Sequence, residues 1–262
     1  MATVKITLLG SGTSTGVPMI GCKCNICTSD DKRNKRLRSS ILISANGGNI
    51  LIDTSTDLRQ QALIYDVSRL DAVLFTHHHA DHVHGIDELR SFNFIQKKEI
   101  PCYGNRRTLE RIKEMFSYIF NGMTSSGGKP RLSMNEVDGP FDILDITFQP
   151  VEVAHGDISI LGYRFSDAAY ITDCSMIPEE SLKKLEGLDI LILGALRPTP
   201  HDKHYSISEA IETVKKIKPK KAVFTHMGHE IDYEGTSAAL PQGIELAYDG
   251  MIIDVTAGEY NN

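Results

Sequence analysis

Residues 71–90 read DAVLFTHHHADHVHGIDELR. The apolar run Ala72-Val73-Leu74-Phe75 has the length of one short buried strand. It ends at Thr76 and passes straight into His77, His78, His79, Asp81, His82 and His84. Five histidines within eight residues put too many polar rings together for a packed core. Imidazole is neutral near pH 7 and is the commonest protein ligand for divalent transition metals. On an irregular loop leaving a strand, His77 and His79 can address one ion, and Asp81 and His82 a neighbouring one. A polyhistidine tag is the rival reading, but a tag sits at a terminus and lacks both the aspartate and the strand.

Outward from this stretch, the pattern of a strand followed by a ligand recurs. A strand over 146–153 runs into His155, and one over 169–172 ends at Asp173. KAVFTH at 221–226 echoes DAVLFTH at 71–77 and delivers His226. His77, His79, Asp81, His82, His155, Asp173 and His226 suffice for two metal ions with positions left for substrate and water. The partition we expect sets His77, His79 and His155 on one ion, and Asp81, His82 and His226 on the other. Asp173 bridges them, since a carboxylate has two oxygens. Two cations lower the pKa of a shared water and neutralise charge on a phosphoryl or acyl oxygen. No Ser or Cys is set beside a base, so a metal-bound hydroxide is the expected nucleophile. His204 precedes a helix over 206–216, whose Ser206 and Glu209 fit a capping box. It is not needed as a ligand, which frees it as a general acid or phosphate-binding donor, the alternative being an ordinary loop histidine. Asp53 follows a strand over 49–52 and suits a partner for a ligand imidazole or a helix N-cap. Asp57, before LRQQALIYD, suits the cap better.

A second cluster lies upstream. Cys22-x-Cys24-x-x-Cys27 offers three thiols to a tetrahedral zinc site that lacks a fourth ligand, and His229 can supply it. The alternative is three unligated, oxidisable thiols. The loop 10–16, GSGTSTG, is not a nucleotide-phosphate motif; it either flanks the active site or merely connects. Five basic residues between 32 and 38 read as a solvated loop or as steering for an anionic substrate. Residues 85–96 pattern as a helix with Ile86, Leu89, Phe92 and Ile95 on one face, and 107–120 as another. The stretch 121–129, NGMTSSGGK, is a polar surface loop or a flap. Cys102 and Cys174 are expected in the core.

The chain has 262 residues and is read as one domain, 1–262. No stretch of 18 apolar residues suggests a membrane span, and the N-terminus lacks a signal-peptide core, so a cytoplasmic protein is expected. A formal charge of −6 argues against general affinity for nucleic acid.

The HxHxDH run 77–82, followed by a distant His155, Asp173 and His226, resembles the signature of the metallo-β-lactamase superfamily. That resemblance implies an α/β fold, the αββα sandwich of two face-to-face mixed β-sheets with helices outside. The set with Asp81 and bridging Asp173 resembles the phosphodiesterase branch. Within it, Cys22, Cys24, Cys27 and His229 and the opening GSGTSTGVPMIGCKCNIC are similar to the PhnP family. The family pairs a dinuclear site with one structural Zn²⁺, and for this chain two active-site ions, Zn²⁺ or Mn²⁺, are expected. It opens a cyclic phosphate of phosphorylated ribose and accepts other small phosphodiesters. The resemblance further implies that His204 helps protonate the leaving oxygen and that Asp81 counts among the catalytic groups. It admits a homodimer. The runner-up is a ribonuclease Z-like tRNA 3′-processing endonuclease, although no basic glycine-rich arm is visible. A thioester or lactone hydrolase and a non-catalytic metal-binding protein complete the alternatives.

Overall fold

Val4, Ile6 and Leu8 alternate along one strand, Ile41 and Ile43 along the next, and Ile50 and Ile52 along a third, and all are fully buried. This period-two pattern turns one face of a sheet inward. A computed structural model describes residues 3–122 and 128–256 and shows where that face goes. The first sheet contains β1 (Thr3–Gly10), β2 (Ser40–Ala45), β3 (Gly48–Ile52), β4 (Ala72–Leu74), β5 (Ile100–Gly104) and β6 (Leu132–Glu136). The second contains β7 (Phe141–Ile143), β8 (Ile146–His155), β9 (Ile158–Phe165), β10 (Ala168–Ile171), β11 (Ile190–Gly194), β12 (Lys221–Thr225) and β13 (Ile244–Leu246). A last strand, β14 (Ile252–Thr256), returns to the first sheet and pairs antiparallel with β1, Val4 opposite Val255. The two strands expected near the C-terminus therefore belong to different sheets.

The strand orders are β14-β1-β2-β3-β4-β5-β6 and β13-β12-β11-β10-β9-β8-β7. Both sheets are mixed. β3 to β6 run parallel, as do β10 to β13, while the remaining neighbours are antiparallel. Between the sheets lies one apolar core, with Phe148, Tyr163, Phe165 and Phe224 among its largest members. A second core, including Leu51, Val73, Phe75 and Cys102, sits on the outer face of the first sheet. The helices α1 (Leu58–Ile64), α3 (Leu89–Gln96) and α4 (Arg106–Met115) cover it. This is the αββα sandwich. The short α2 (Ala80–Val83) carries Asp81 and His82.

Local details depart from the sequence pattern. The expected helix over 85–96 is split into a 3₁₀ turn, Ile86–Glu88, and α3. Ile86, Leu89 and Phe92 are buried, but Ile95 is 62% exposed. Leu89, Phe92 and Ile95 all lie in α3, where each step of three residues falls about 60° short of a full turn, so Ile95 stands off the buried stripe. The helix over 107–120 breaks at Phe116 into α4 and α5 (Ser117–Phe120). Asp57 sits at the N-cap of α1 without a side-chain cap bond; its carboxylate accepts instead from Arg38 N and Arg38 Nη1. The central residues of the expected 121–129 flap, 123–127, lie outside the described residues.

Candidate metal centre

The candidate ligands follow four strand ends on one rim of the sandwich, with Asp81 and His82 carried there by α2. His77 follows β4 by way of Phe75 and Thr76, and His155 ends β8. Asp173 follows β10 and His226 follows β12. Three strand-end residues at this rim hold left-handed backbone: Asp53 (φ 66°), Asp173 (φ 55°) and His226 (φ 57°). Such angles are uncommon for non-glycine residues and gather at functional sites. Gly85 lets the histidine loop pack closely, since a Cβ there would stand 2.1 Å from Ser55 O.

The donors converge in two groups, His77/His79/His155 and Asp81/His82/Asp173/His226, the atoms within each group lying within 4.8 Å of one another. His79 Nδ1 is 3.0 Å from His77 Nε2 and 3.3 Å from His155 Nε2. In the other group, His82 Nε2 is 3.1 Å from Asp81 Oδ2 and 3.3 Å from Asp173 Oδ1. Asp173 Oδ1 also stands 3.1 Å from His226 Nδ1, while its Oδ2 is 4.0 Å from His77 Nε2. One carboxylate thus faces both groups.

Neighbouring hydrogen bonds set the tautomers. Thr76 Oγ1 donates to Asp53 Oδ2 and so accepts from His77 Nδ1. His82 Nδ1 donates to the same Asp53 oxygen at 2.8 Å. His155 Nδ1 donates to the carbonyl of Lys203 at 2.9 Å. In all three rings the proton is on Nδ1, which leaves the Nε2 lone pair pointing into the cluster. His82 Nε2 is buried and has no hydrogen-bond partner. A set of bare lone pairs and carboxylate oxygens with one orphaned nitrogen fits divalent cations and fits little else.

The electrostatics agree. Burial pushes Asp173 upward, but His226, His82 and His77 outweigh it and hold the carboxyl well below its ordinary range. Burial lowers His82, yet Asp81, Asp173 and Asp53 raise it far above an ordinary imidazole, so a metal ion at Nε2 would displace a proton that these carboxylates otherwise hold there. His77, His79 and His226 are lowered, chiefly by burial. The site is rich in negative charge and starved of positive charge, as a cation site must be.

His204 belongs to the same rim. Its ring stacks on His226 at 5.1 Å between centroids and meets His155 edge-on at 4.7 Å. Its Nδ1 is 3.8 Å from Asp173 Oδ2. Burial, reinforced by His226 and His155, lowers it to about 3 despite Asp173. The glycine- and hydroxyl-rich loop 10–16 is also here: Thr13 Oγ1 is 3.2 Å from His226 Nε2. Ser39 Oγ lies 3.3 Å from His226 Nδ1, a contact that nothing in the sequence marked.

The upstream cluster closes as well. Cys22, Cys24 and Cys27 place their Sγ atoms 3.3, 3.6 and 3.5 Å from His229 Nδ1. Backbone N–H of Cys27 lowers the Cys24 thiol to about 6, whereas burial raises Cys27. The nearby basic run is not a solvated loop throughout. Arg36 is only 2% exposed and donates to Gly228 O, Ile231 O and Asn34 Oδ1. It ties the cysteine loop to the turn that carries His229. Cys102 and Cys174 are buried and join neither donor set, although Cys174 directly follows Asp173.

A family model described as the beta-lactamase superfamily domain matches residues 48–227. The chain belongs to that superfamily. It is PhnP-like within it: a solved structure described as a new diphosphatase from the PhnP family is 40% identical, with a TM-score of 0.91 over 97% of this chain and 98% of the other. PhnP-like metal-dependent hydrolases are thus the relatives against which the metal centre is to be read. An octanoyltransferase of Porphyromonas gingivalis is 39% identical over 258 residues. That match takes in 96% of this chain, which spans about half, 52%, of the length of that relative. The Zn²⁺-bound PqqB of Methylobacterium extorquens shares the fold, with a TM-score of 0.78 at 21% identity. No helix among the described residues is long and apolar enough to cross a membrane.

Proposed function

We propose that the chain is a dinuclear-metal-dependent phosphodiesterase acting on a small phosphodiester of the cyclic ribose phosphate type. The observation that carries this is Asp173, one carboxylate facing His77 on one side and His82 and His226 on the other. His77, His79 and His155 would hold one ion, Asp81, His82 and His226 the other, and Asp173 both, with zinc or manganese as the metals. Cys22, Cys24, Cys27 and His229 would hold a structural zinc. When bound, such a pair supplies an activated water and neutralises phosphoryl charge.

The chain's own residues do the rest. Asp53 and Thr76 fix the His77 and His82 rings, and the Lys203 carbonyl fixes His155. Asp81, turned toward His82 Nε2, shares the charge of the second group and orients what binds there. His204 lines the substrate side. With its proton affinity lowered to about 3, it is neutral at pH 7 and offers a hydrogen bond to the leaving oxygen rather than a ready proton. An anionic diester beside it raises that affinity and allows proton transfer as the oxygen departs. His204→Ala should keep its metals and lose turnover by about 10²-fold or more; unchanged turnover would remove His204 from the mechanism.

A P–O–P linkage is a second candidate, since the similar PhnP-family structure is described as a diphosphatase. The test is turnover of bis(p-nitrophenyl) phosphate, a ribose 1,2-cyclic phosphate and a dialkyl diphosphate by zinc- or manganese-loaded protein, with a tRNA precursor alongside. Cleavage of the two phosphodiesters supports the proposal, and preference for the diphosphate moves the substrate class. Cleavage of the tRNA precursor alone, or inertness to all four, overturns it.

A further inference from the structure

Asp249 lies on the segment that crosses from β13 in the second sheet to β14 in the first. Ala247 N donates to Phe224 O on β12 and Gly250 N to Leu8 O on β1, so the crossing is pinned to both sheets. The Asp249 side chain is half-buried. Its Oδ1 accepts from Ser11 N at 2.9 Å and from Ser11 Oγ at 2.7 Å, and its Oδ2 accepts from Leu37 N at 2.7 Å. These attachment points begin two segments that run side by side. Gly12 bridges in parallel to Arg38 on one side and to Met227 on the other. Its N–H donates to Leu37 O, and its carbonyl accepts from Ser39 N and Ser39 Oγ. A Cβ on Gly12 would stand 2.8 Å from Arg36 O, so only glycine lets the segments approach this closely. Two residues on from Ser11, Thr13 Oγ1 meets His226 Nε2; two residues on from Leu37, Ser39 Oγ meets His226 Nδ1. The backbone is tied as well. Met227 N donates to Ser11 O and Thr13 N donates to Met227 O, which anchors the chain beside the left-handed His226. A hydroxyl thus stands against each ring nitrogen of His226, and one carboxylate sets the register of both.

We propose that Asp249 is a positioning residue of the metal centre. It registers residues 11–13 and 37–39 so that Thr13 and Ser39 hold the His226 ring in place beside Asp81, His82 and Asp173. The proposal rests on the metal-ion part of the proposed function and is independent of the substrate. Asparagine cannot do the same work: with one acceptor oxygen and one NH₂, it leaves either Ser11 or Leu37 facing a donor. A mere staple of the C-terminal crossing would matter to stability and to nothing at the metals.

The test is Co²⁺ titration of protein whose cysteine site is filled with zinc, followed by visible absorption and by competition with a chelator. In Asp249→Asn, one of the two active-site equivalents should bind about tenfold more weakly or worse, with a changed spectrum, while the other stays within about threefold. Thr13→Val should weaken the same equivalent. The double variant should be no worse than the weaker single one, since both act through His226. Asp71→Asn breaks a comparable carboxylate clamp, on Asn49 N just before β4. It should lose stability in urea and leave both cobalt affinities unchanged. If Asp249→Asn does not fold, Ser11→Ala removes one of the three donors and should shift the same equivalent by about threefold. A folded Asp249→Asn with wild-type cobalt affinities and spectrum, effects of Asp249→Asn and Thr13→Val that add, or no shift in Ser11→Ala overturns the proposal. A wild type that binds two cobalt ions but cleaves no phosphodiester would sink the phosphodiesterase reading and leave the positioning role standing.

Discussion

Asp53→Asn changes one atom of a residue that touches no proposed ion. Asp53 is fully buried, accepts Thr76 N on Oδ1, and accepts Thr76 Oγ1 and His82 Nδ1 on Oδ2, each at 2.8 Å. Asparagine tolerates the left-handed backbone at this position, so the strand end should survive. Its amide cannot satisfy all three donors. If the NH₂ faces His82, the imidazole proton must move to Nε2, where it blocks the lone pair aimed at the cluster. If the NH₂ faces Thr76 N, the peptide that leads into the histidine loop loses its acceptor. The substitution also removes a charge-assisted hydrogen bond, worth roughly 1.5–3 kcal/mol. That corresponds to about 10–100-fold in metal affinity. The assay is competition of the folded protein with a calibrated zinc chelator, with the cysteine-site zinc counted separately. Turnover at saturating metal should also fall. An affinity for the active-site metals within threefold of wild type would refute the claim that Asp53 sets the His82 tautomer.

Other outcomes follow from the cysteine loop. In the metal-stripped chain, Cys24 should be alkylated by iodoacetamide with a rate that rises through about pH 6 and then levels, because only the thiolate reacts. Cys27, raised by burial, should lag behind it, and zinc should protect both; mass spectrometry of modified peptides reads the order. Arg36→Met leaves the carbonyls of Gly228 and Ile231 and the side chain of Asn34 without their donor. It should cost roughly 3 kcal/mol or more in a urea titration. A loss under about 1 kcal/mol would show that the guanidinium does not hold the His229 turn.

Much of the architecture was legible because burial and chemistry change at the same residues. A β-strand that must be apolar on both faces cannot contain His, Asp or Gly runs, so each strand end announced its ligand. The order of those ends carried the superfamily resemblance, and the sandwich followed from it. What the sequence concealed depends on long-range partners. Arg36 looks like its basic neighbours, and only the carbonyls of residues 228 and 231 make it a buried strut. Asp57 has the look of a helix cap, but Arg38, which pairs with it, draws its carboxylate away. Ser39 reaches His226 across 187 residues of chain, a contact that no local pattern encodes. Ile95 missed the core because successive three-residue steps along α3 drift about 60° each from the buried face.

The central claim is that two ions, held in common by Asp173, make the site competent. It is tested most directly by stripping the protein with a chelator, restoring the cysteine-site zinc, and titrating zinc or manganese while following hydrolysis of bis(p-nitrophenyl) phosphate. The account predicts no turnover in the stripped chain and a rise that saturates at two further equivalents. Full activity without metal, or saturation at a single equivalent, would contradict it.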